Sequence, residues 1–120
     1  MQDYKKLKVW EKAHEITLNV YKITKAFPKD ELYGMVSQLR RATSSIPANI
    51  VEGCGRRTKA DFARFLTIAV GSSNETEYFL LLAKDLNYIS EREHQKLNNE
   101  ITEVRKMLLS LISKVTNPTQ

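Results

Sequence analysis

Two Glu-x-x-His sequences, Glu11 to His14 and Glu91 to His94, have the spacing with which helical bundles hold a pair of iron or manganese ions. The direction of the helices argues against that use. Both motifs lie near the start of their own helix, and in an up-down bundle the first and fourth helices run in opposite senses. The motifs then fall at opposite ends, ~25 Å or more apart by helix rise. Glu11 also lies off the apolar seam of its helix, while Glu91 and Glu93 are placed to cap theirs. Cys54 and His14 could share one end of the bundle as thiol and base, but nothing in the sequence orients or activates them as a pair. A small buried thiol and a half-buried histidine account for both. Gly53-x-Gly55 lacks the strand and lysine of a phosphate-binding loop and reads as a helix stop. No catalytic residue, metal or cofactor is expected.

Charge says more. The chain has a formal charge of +5 and a pI near 9.4, which permits an acidic partner such as RNA without requiring one, since basic surfaces also simply solvate. Alternating helix direction gathers the start of the first helix, the turn between the second and third, and the C-terminus at one end. That end carries Lys5, Lys6, Lys8, Lys12, Arg56, Arg57, Lys59, Arg64 and Lys114 against Asp3, Glu11, Glu52 and Asp61, nine positive charges less four negative, or +5. The other end, with Lys29, Lys84, Arg92 and Lys96 against Asp30, Glu31, Asp85, Glu91 and Glu93, comes to four less five, or −1. The molecule is expected to be polarised along its axis. Arg56 and Arg57 also stand beside the N-terminus of the third helix, where free N–H groups favour phosphate and Asp61 opposes it.

Four helices must position these groups. With 120 residues the chain is long enough for one core and too short for two. Residues 1–6 are polar and expected to be loosely docked. Val9, Ala13, Ile16, Val20, Ile23 and Phe27 recur by four and three, with Trp10, His14, Thr17 and Tyr21 as a second stripe. Pro28 ends that helix. The second spans about 30–53, the third about 59–87 and the fourth about 90–115. Phe62, Phe65, Ala69, Ser72, Thr76, Phe79, Ala83 and Leu86 are the expected seam of the third. Leu97, Ile101, Val104, Leu108, Leu111 and Val115 are that of the fourth, broadened by Leu109 and Ile112. Thr58 to Asp61 resembles a capping box with Asp in place of the usual Glu, Ser90 to Glu93 is a fuller one, and Asn117-Pro118 closes the order. The hairpin between helices two and three places Gly71 against Thr43, where two backbones could approach closely. Short turns and no strand signal give an all-α class, an antiparallel up-down-up-down four-helix bundle in a single domain.

The second helix contains a proline. Leu32, Val36, Leu39, Thr43, Ile46 and Ile50 form one buried seam that continues across Pro47, so the proline is expected to bend the helix without ending it, leaving Ile50 as buried as Leu39. The defect costs ~3 kcal/mol, to be offset by packing and by the hydroxyls of Thr43, Ser44 and Ser45. The run Ser37-Gln38-Leu39-Arg40-Arg41, then Ser45-Ile46-Pro47-Ala48-Asn49-Ile50, Glu52-Gly53 and Gly55-Arg56, resembles the signature of the bacterial 23S rRNA intervening-sequence proteins. It extends more loosely through Phe65-Leu66, Ile68-Ala69 and Gly71-Ser72. Cys54 inside the Gly-x-Gly element and Asn74-Glu75-Thr76-Glu77 depart from the family pattern. The resemblance implies a four-helix bundle assembled as a homopentameric ring, similar to rings that serve as nucleic-acid-binding accessory proteins of diversity-generating retroelements.

No run approaches the roughly 18 apolar residues of a membrane span, and the lysine-rich start is unlike a signal peptide. With a lone cysteine, a cytoplasmic protein without membrane contact is expected. The functional expectation is a non-enzymatic oligomer whose basic face holds RNA or DNA through phosphates, with Arg56, Arg57, Lys59 and Arg64 at its core and Lys5, Lys6, Lys8 and Lys12 on its flank. The alternative is a scaffold that binds another protein, for which nucleic acid is incidental. More apolar seam than one bundle can cover also predicts self-association.

Overall fold

A computed structural model of the protein describes residues 2–117. Four helices make the bundle: α1 Lys8–Thr24, α2 Ser37–Cys54, α3 Lys59–Asp85 and α4 Glu91–Thr116. Short turns reverse the chain between them, and the whole measures 48 × 23 × 20 Å. Side-chain ties fix the antiparallel order. Arg40 of α2 donates to Thr24 Oγ1 at 2.9 Å and to the Tyr21 carbonyl at 3.2 Å. Arg41 pairs with Glu75 across α2 and α3, Arg105 with Glu77 across α3 and α4, and Lys12 with Glu103 across α1 and α4.

The core is filled by side chains that recur at helical spacing, with Val20, Leu39, Ile46, Ile50, Leu66, Leu80, Ile101, Val104 and Leu108 all at zero exposure. Four buried hydroxyls sit among them. Thr24, Thr43, Ser73 and Thr76 donate to the carbonyls of Val20, Leu39, Val70 and Ser72, which removes the cost of leaving a buried donor unpaired.

Pro47 lies inside α2 without ending it, and Ile50 is as buried as Leu39. The carbonyl deprived of a donor is that of Thr43. Compensation comes from elsewhere than expected, because Ser44 and Ser45 donate to the carbonyl of Arg41 and Thr43 to that of Leu39. The hydroxyl that reaches the orphaned carbonyl belongs to Thr17 of α1, at 3.4 Å.

The start of the second helix also departs from expectation. Lys29–Glu31 is a 3-10 turn and Leu32–Val36 a π turn, interrupted by Gly34 at φ −106° and ψ −108°. One carboxylate clamps this segment, Glu31 accepting the Met35 N–H at 3.2 Å and the Tyr88 hydroxyl at 2.8 Å. In α3 the heptad row Phe62, Ala69, Thr76 and Ala83 is buried as expected, but its companion row is Leu66, Ser73 and Leu80. Phe65, Ser72 and Phe79 stay on the shoulder, and Leu86 is exposed.

The glycines carry other duties than those expected. None has positive φ, and Gly71 meets nothing within 4 Å of where a Cβ would stand. The close approach is at Gly53, whose added Cβ would lie 3.0 Å from both Phe62 Cδ1 and Phe65 Cβ. The left-handed position belongs to Asn87, at φ 63°, where Tyr88 N–H closes back on the Ala83 carbonyl at 2.8 Å and ends α3. Ser90 and Glu93 form the full capping box of α4. Asn117 ends that helix, and Pro118 lies outside the described residues.

Candidate nucleic-acid interface

The N-terminal segment is docked rather than loose. Gln2 donates its backbone N–H to the Cys54 carbonyl at 3.0 Å, and Tyr4–Lys6 forms a 3-10 turn capped by Asp3. Gln2 thereby lines one hollow with Arg56, Arg57, Thr58 and Lys59. The start of α1, the α2–α3 turn and the end of α4 do meet at one end, here the basic end.

Within it the cations fall into two groups. Arg56 and Arg64 are held: Arg56 pairs with Glu52 at 3.0 Å and Arg64 with Asp61 at 3.4 Å. Both guanidiniums lie against the Phe65 ring, at 4.6 and 4.5 Å from its centroid. Arg57 and Lys59 are exposed, with no ion pair among the described residues. Lys5, Lys6 and Lys8 are likewise exposed. Lys12 is different. It faces α4, where the hydrogen bond it donates to Glu103 and then the charge of that carboxylate raise the ammonium above its ordinary value of 10.5, with Glu15 and Glu100 adding to the effect. A lysine shared among carboxylates is a poor phosphate ligand, so the structure separates Lys12 from the other seven residues.

Sequence reasoning missed Phe65 as a support for two arginines, and it missed Glu103 and Lys106, which line a groove with Lys8 and Lys114. An Arg-x7-Arg pair with an aromatic directly after the second arginine was the available signal for Phe65. Adding Lys106 and Glu103 leaves the charge balance of this end unchanged.

The enzyme motifs come apart. Lys12 meets Glu103, and Asn19 and Lys22 adjoin Glu93 and Lys96, a register that sets His14 level with Ile101. His14 and His94 are therefore offset by about 10 Å along the axis, less than the sequence suggested and still too far for shared ligation. His14 is exposed rather than half-buried, and it stacks on Trp10 with ring centroids 5.1 Å apart and planes 6° from parallel. Cys54 is buried, and burial pushes its thiol up, away from the thiolate a nucleophile needs.

Seen from outside, the architecture has relatives. The pattern that defines the 23S rRNA-intervening sequence protein family matches residues 5–110. The chain belongs to this family. The matched span includes the whole Ser37–Arg56 signature and every basic residue named above except Lys114. A crystal structure of a protein of unknown function from the S23 ribosomal protein family of Bacteroides thetaiotaomicron is similar at 34% identity and a TM-score of 0.78, over 87% of this chain and 97% of that one. No curated protein matches the sequence. The family description names no catalytic activity, and among the described residues no three His, Cys, Asp or Glu side chains gather as a metal would need. No helix among them is long and apolar enough to cross a membrane.

Proposed function

We propose that this family member is a non-enzymatic, cytoplasmic nucleic-acid-binding protein that acts as an oligomeric ring and grips RNA or DNA by its phosphates. The observation that carries this is the gathering of Arg56, Arg57, Lys59, Arg64, Lys5, Lys6 and Lys8 at one end of the bundle. Arg57 and Lys59 supply unpaired charge, while Phe65 holds Arg56 and Arg64 in position. Contacts of this kind neutralise phosphate and read little sequence.

Self-association is supported by the surface of the other half. Leu18, Tyr21, Leu32 and Tyr33 from α1 and the start of α2, and Tyr78, Leu81 and Leu86 from α3, are large apolar side chains at least 41% exposed. Two such surfaces at one height on different sides of a bundle suit side-by-side contact that closes into a ring. The proposed number, five, is the one that the resemblance implies.

The test is RNA binding across a salt series. Wild type should lose affinity steeply with salt. The variant R56E/R57E/K59E should not bind, with helical content and oligomer mass unchanged. A second reading, a protein-binding scaffold, is favoured by Tyr33, 91% exposed on the clamped π turn. Tight RNA binding by the triple variant with an unaltered salt slope would select that reading. Protein as purified should also show a 260/280 nm absorbance ratio that falls after nuclease treatment.

A further inference from the structure

An aromatic ladder runs up the outside of α1 from the basic end, and phosphate binding makes no use of it. Tyr4 sets its ring edge-on to Trp10, with centroids 5.0 Å apart. His14, one helical turn on, stacks parallel to Trp10 at 5.1 Å. Residues four apart share a helix face, so the spacing brings these rings together. Trp10 is half-buried between its neighbours and His14 is exposed, so the last ring of the stack is accessible from water. Leu18, the next residue on that face, is 57% exposed and extends the apolar track.

The ladder begins beside the cations. Gln2, tied to Cys54 and sharing a hollow with Arg56, Arg57 and Lys59, is two residues from Tyr4, and Lys5 Nζ stands 6.0 Å from the centre of the Tyr4 ring. Lys6 is exposed nearby. Opposing charges are Asp3, which caps the Lys5 N–H, and the exposed Glu11 and Glu15 of α1. Most of the apolar surface proposed for self-association lies in the other half of the bundle.

We infer that the Tyr4–Trp10–His14 ladder is a stacking platform for an unpaired nucleobase, so that the ligand of the basic end is a single strand rather than a duplex. The inference rests on the phosphate-binding reading and specifies its ligand. Cations that track a backbone beside rings that receive bases are the means by which proteins hold single strands without sequence preference. A duplex keeps its bases stacked on one another and offers only phosphate. Phosphate contacts alone would favour the duplex, whose charge density and salt response are greater; stacking reverses that order.

The test uses the full-length protein at low salt with a mixed-sequence RNA strand, a DNA strand of the same sequence and a blunt duplex of equal length. Trp10 is the sole tryptophan, so its fluorescence reports on the ladder. Either single strand should quench Trp10 and bind more tightly than the duplex. Loss of one stacked base corresponds to roughly fivefold to a hundredfold; His14→Ala should weaken single-strand binding by that order and leave duplex binding unchanged, and His14→Tyr should restore it. Quenching by only one of the two strands would restrict the ligand to that sugar. Equal or tighter duplex binding, absence of quenching, or an indifferent His14→Ala variant would overturn the platform while phosphate binding stands. Failure of all three nucleic acids to bind would overturn both.

Discussion

Thr17 of α1 places its hydroxyl 3.4 Å from the carbonyl oxygen of Thr43 in α2, the group that Pro47 leaves without a helical donor. The same hydroxyl is 2.8 Å from the carbonyl of Ala13, so one hydrogen serves two acceptors and the longer contact is the weaker. Replacing Thr17 by Val keeps the shape and removes the hydrogen. A loss of about 1 kcal/mol is expected, the low end of the cost of an unsatisfied buried polar group. In a Pro47→Ala background the N–H of residue 47 is restored and the same change should cost less. A double-mutant cycle in denaturant that returned simple additivity would break the link between the two residues.

Two glycines make an opposed pair. At Gly53 a methyl group would strike Phe62 and the Phe65 Cβ, each at 3.0 Å, and lie 3.3 Å from the Phe62 carbonyl oxygen. These are not flexible side-chain ends, so Gly53→Ala should destabilise by ~1–3 kcal/mol despite its better helix propensity. Gly71 is exposed in mid-helix with open space around it, and Gly71→Ala should stabilise by roughly 0.5–1 kcal/mol. Thermal melts of the two variants should move in opposite directions.

Alkaline pH should loosen the fold in steps. Burial raises the Cys54 thiol above its ordinary value of 9.0. The folded chain then keeps a proton that the unfolded chain has released, so stability is full below pH 9.0 and falls as pH rises through the folded value. Tyr88, raised by its hydrogen bond to Glu31, and Lys12, raised by Glu103, have the same sign and act at higher pH. Cys54→Ala should flatten the first part of the decline and leave the later part. Melting temperatures read from pH 8 upward would show it, and an unchanged profile in the variant would refute the assignment.

Tyr33 should matter for assembly and not for folding. It is 91% exposed, so its loss exposes nothing within one subunit. Tyr33→Asp together with Leu81→Asp should lower the mass seen by light scattering and leave the helical signal intact. A wild-type protein that is already monomeric at micromolar concentration would end the ring proposal.

Helix number, type and order were legible because apolar residues recur with helical period, and most of the buried positions of α1, α2 and α4 follow from that alone. The companion row of α3 was not. Phe62-Phe65-Ala69-Ser72 and Phe62-Leu66-Ala69-Ser73 are both valid heptad paths, and only the partners across the core choose between them. Gly53 looked like a helix stop because glycine serves both conformational and steric ends, and contact with Phe62 and Phe65 decides which. Asn87 takes the left-handed turn instead. At the basic end every candidate could be named from charge and topology, but not which cations are already engaged. Lys12 is 91 residues from Glu103 in sequence, and a pairing at that range is invisible until the register of α1 against α4 is known.

The separation of net positive charge from most of the apolar surface proposed for assembly, along a 48 Å axis, should make salt act in two senses on the proposed ring. Ions that screen phosphate contacts at one end meet no comparable attraction at the other, where the proposed contacts are apolar. Apolar contacts are strengthened, not weakened, by strongly hydrated salts such as sulfate. A high-salt wash should therefore strip ligand from an assembly that stays together, and ligand exchange need not pass through free subunits. Under the proposed function the ring would be reloaded many times as one durable object, with ionic conditions governing occupancy and concentration governing assembly.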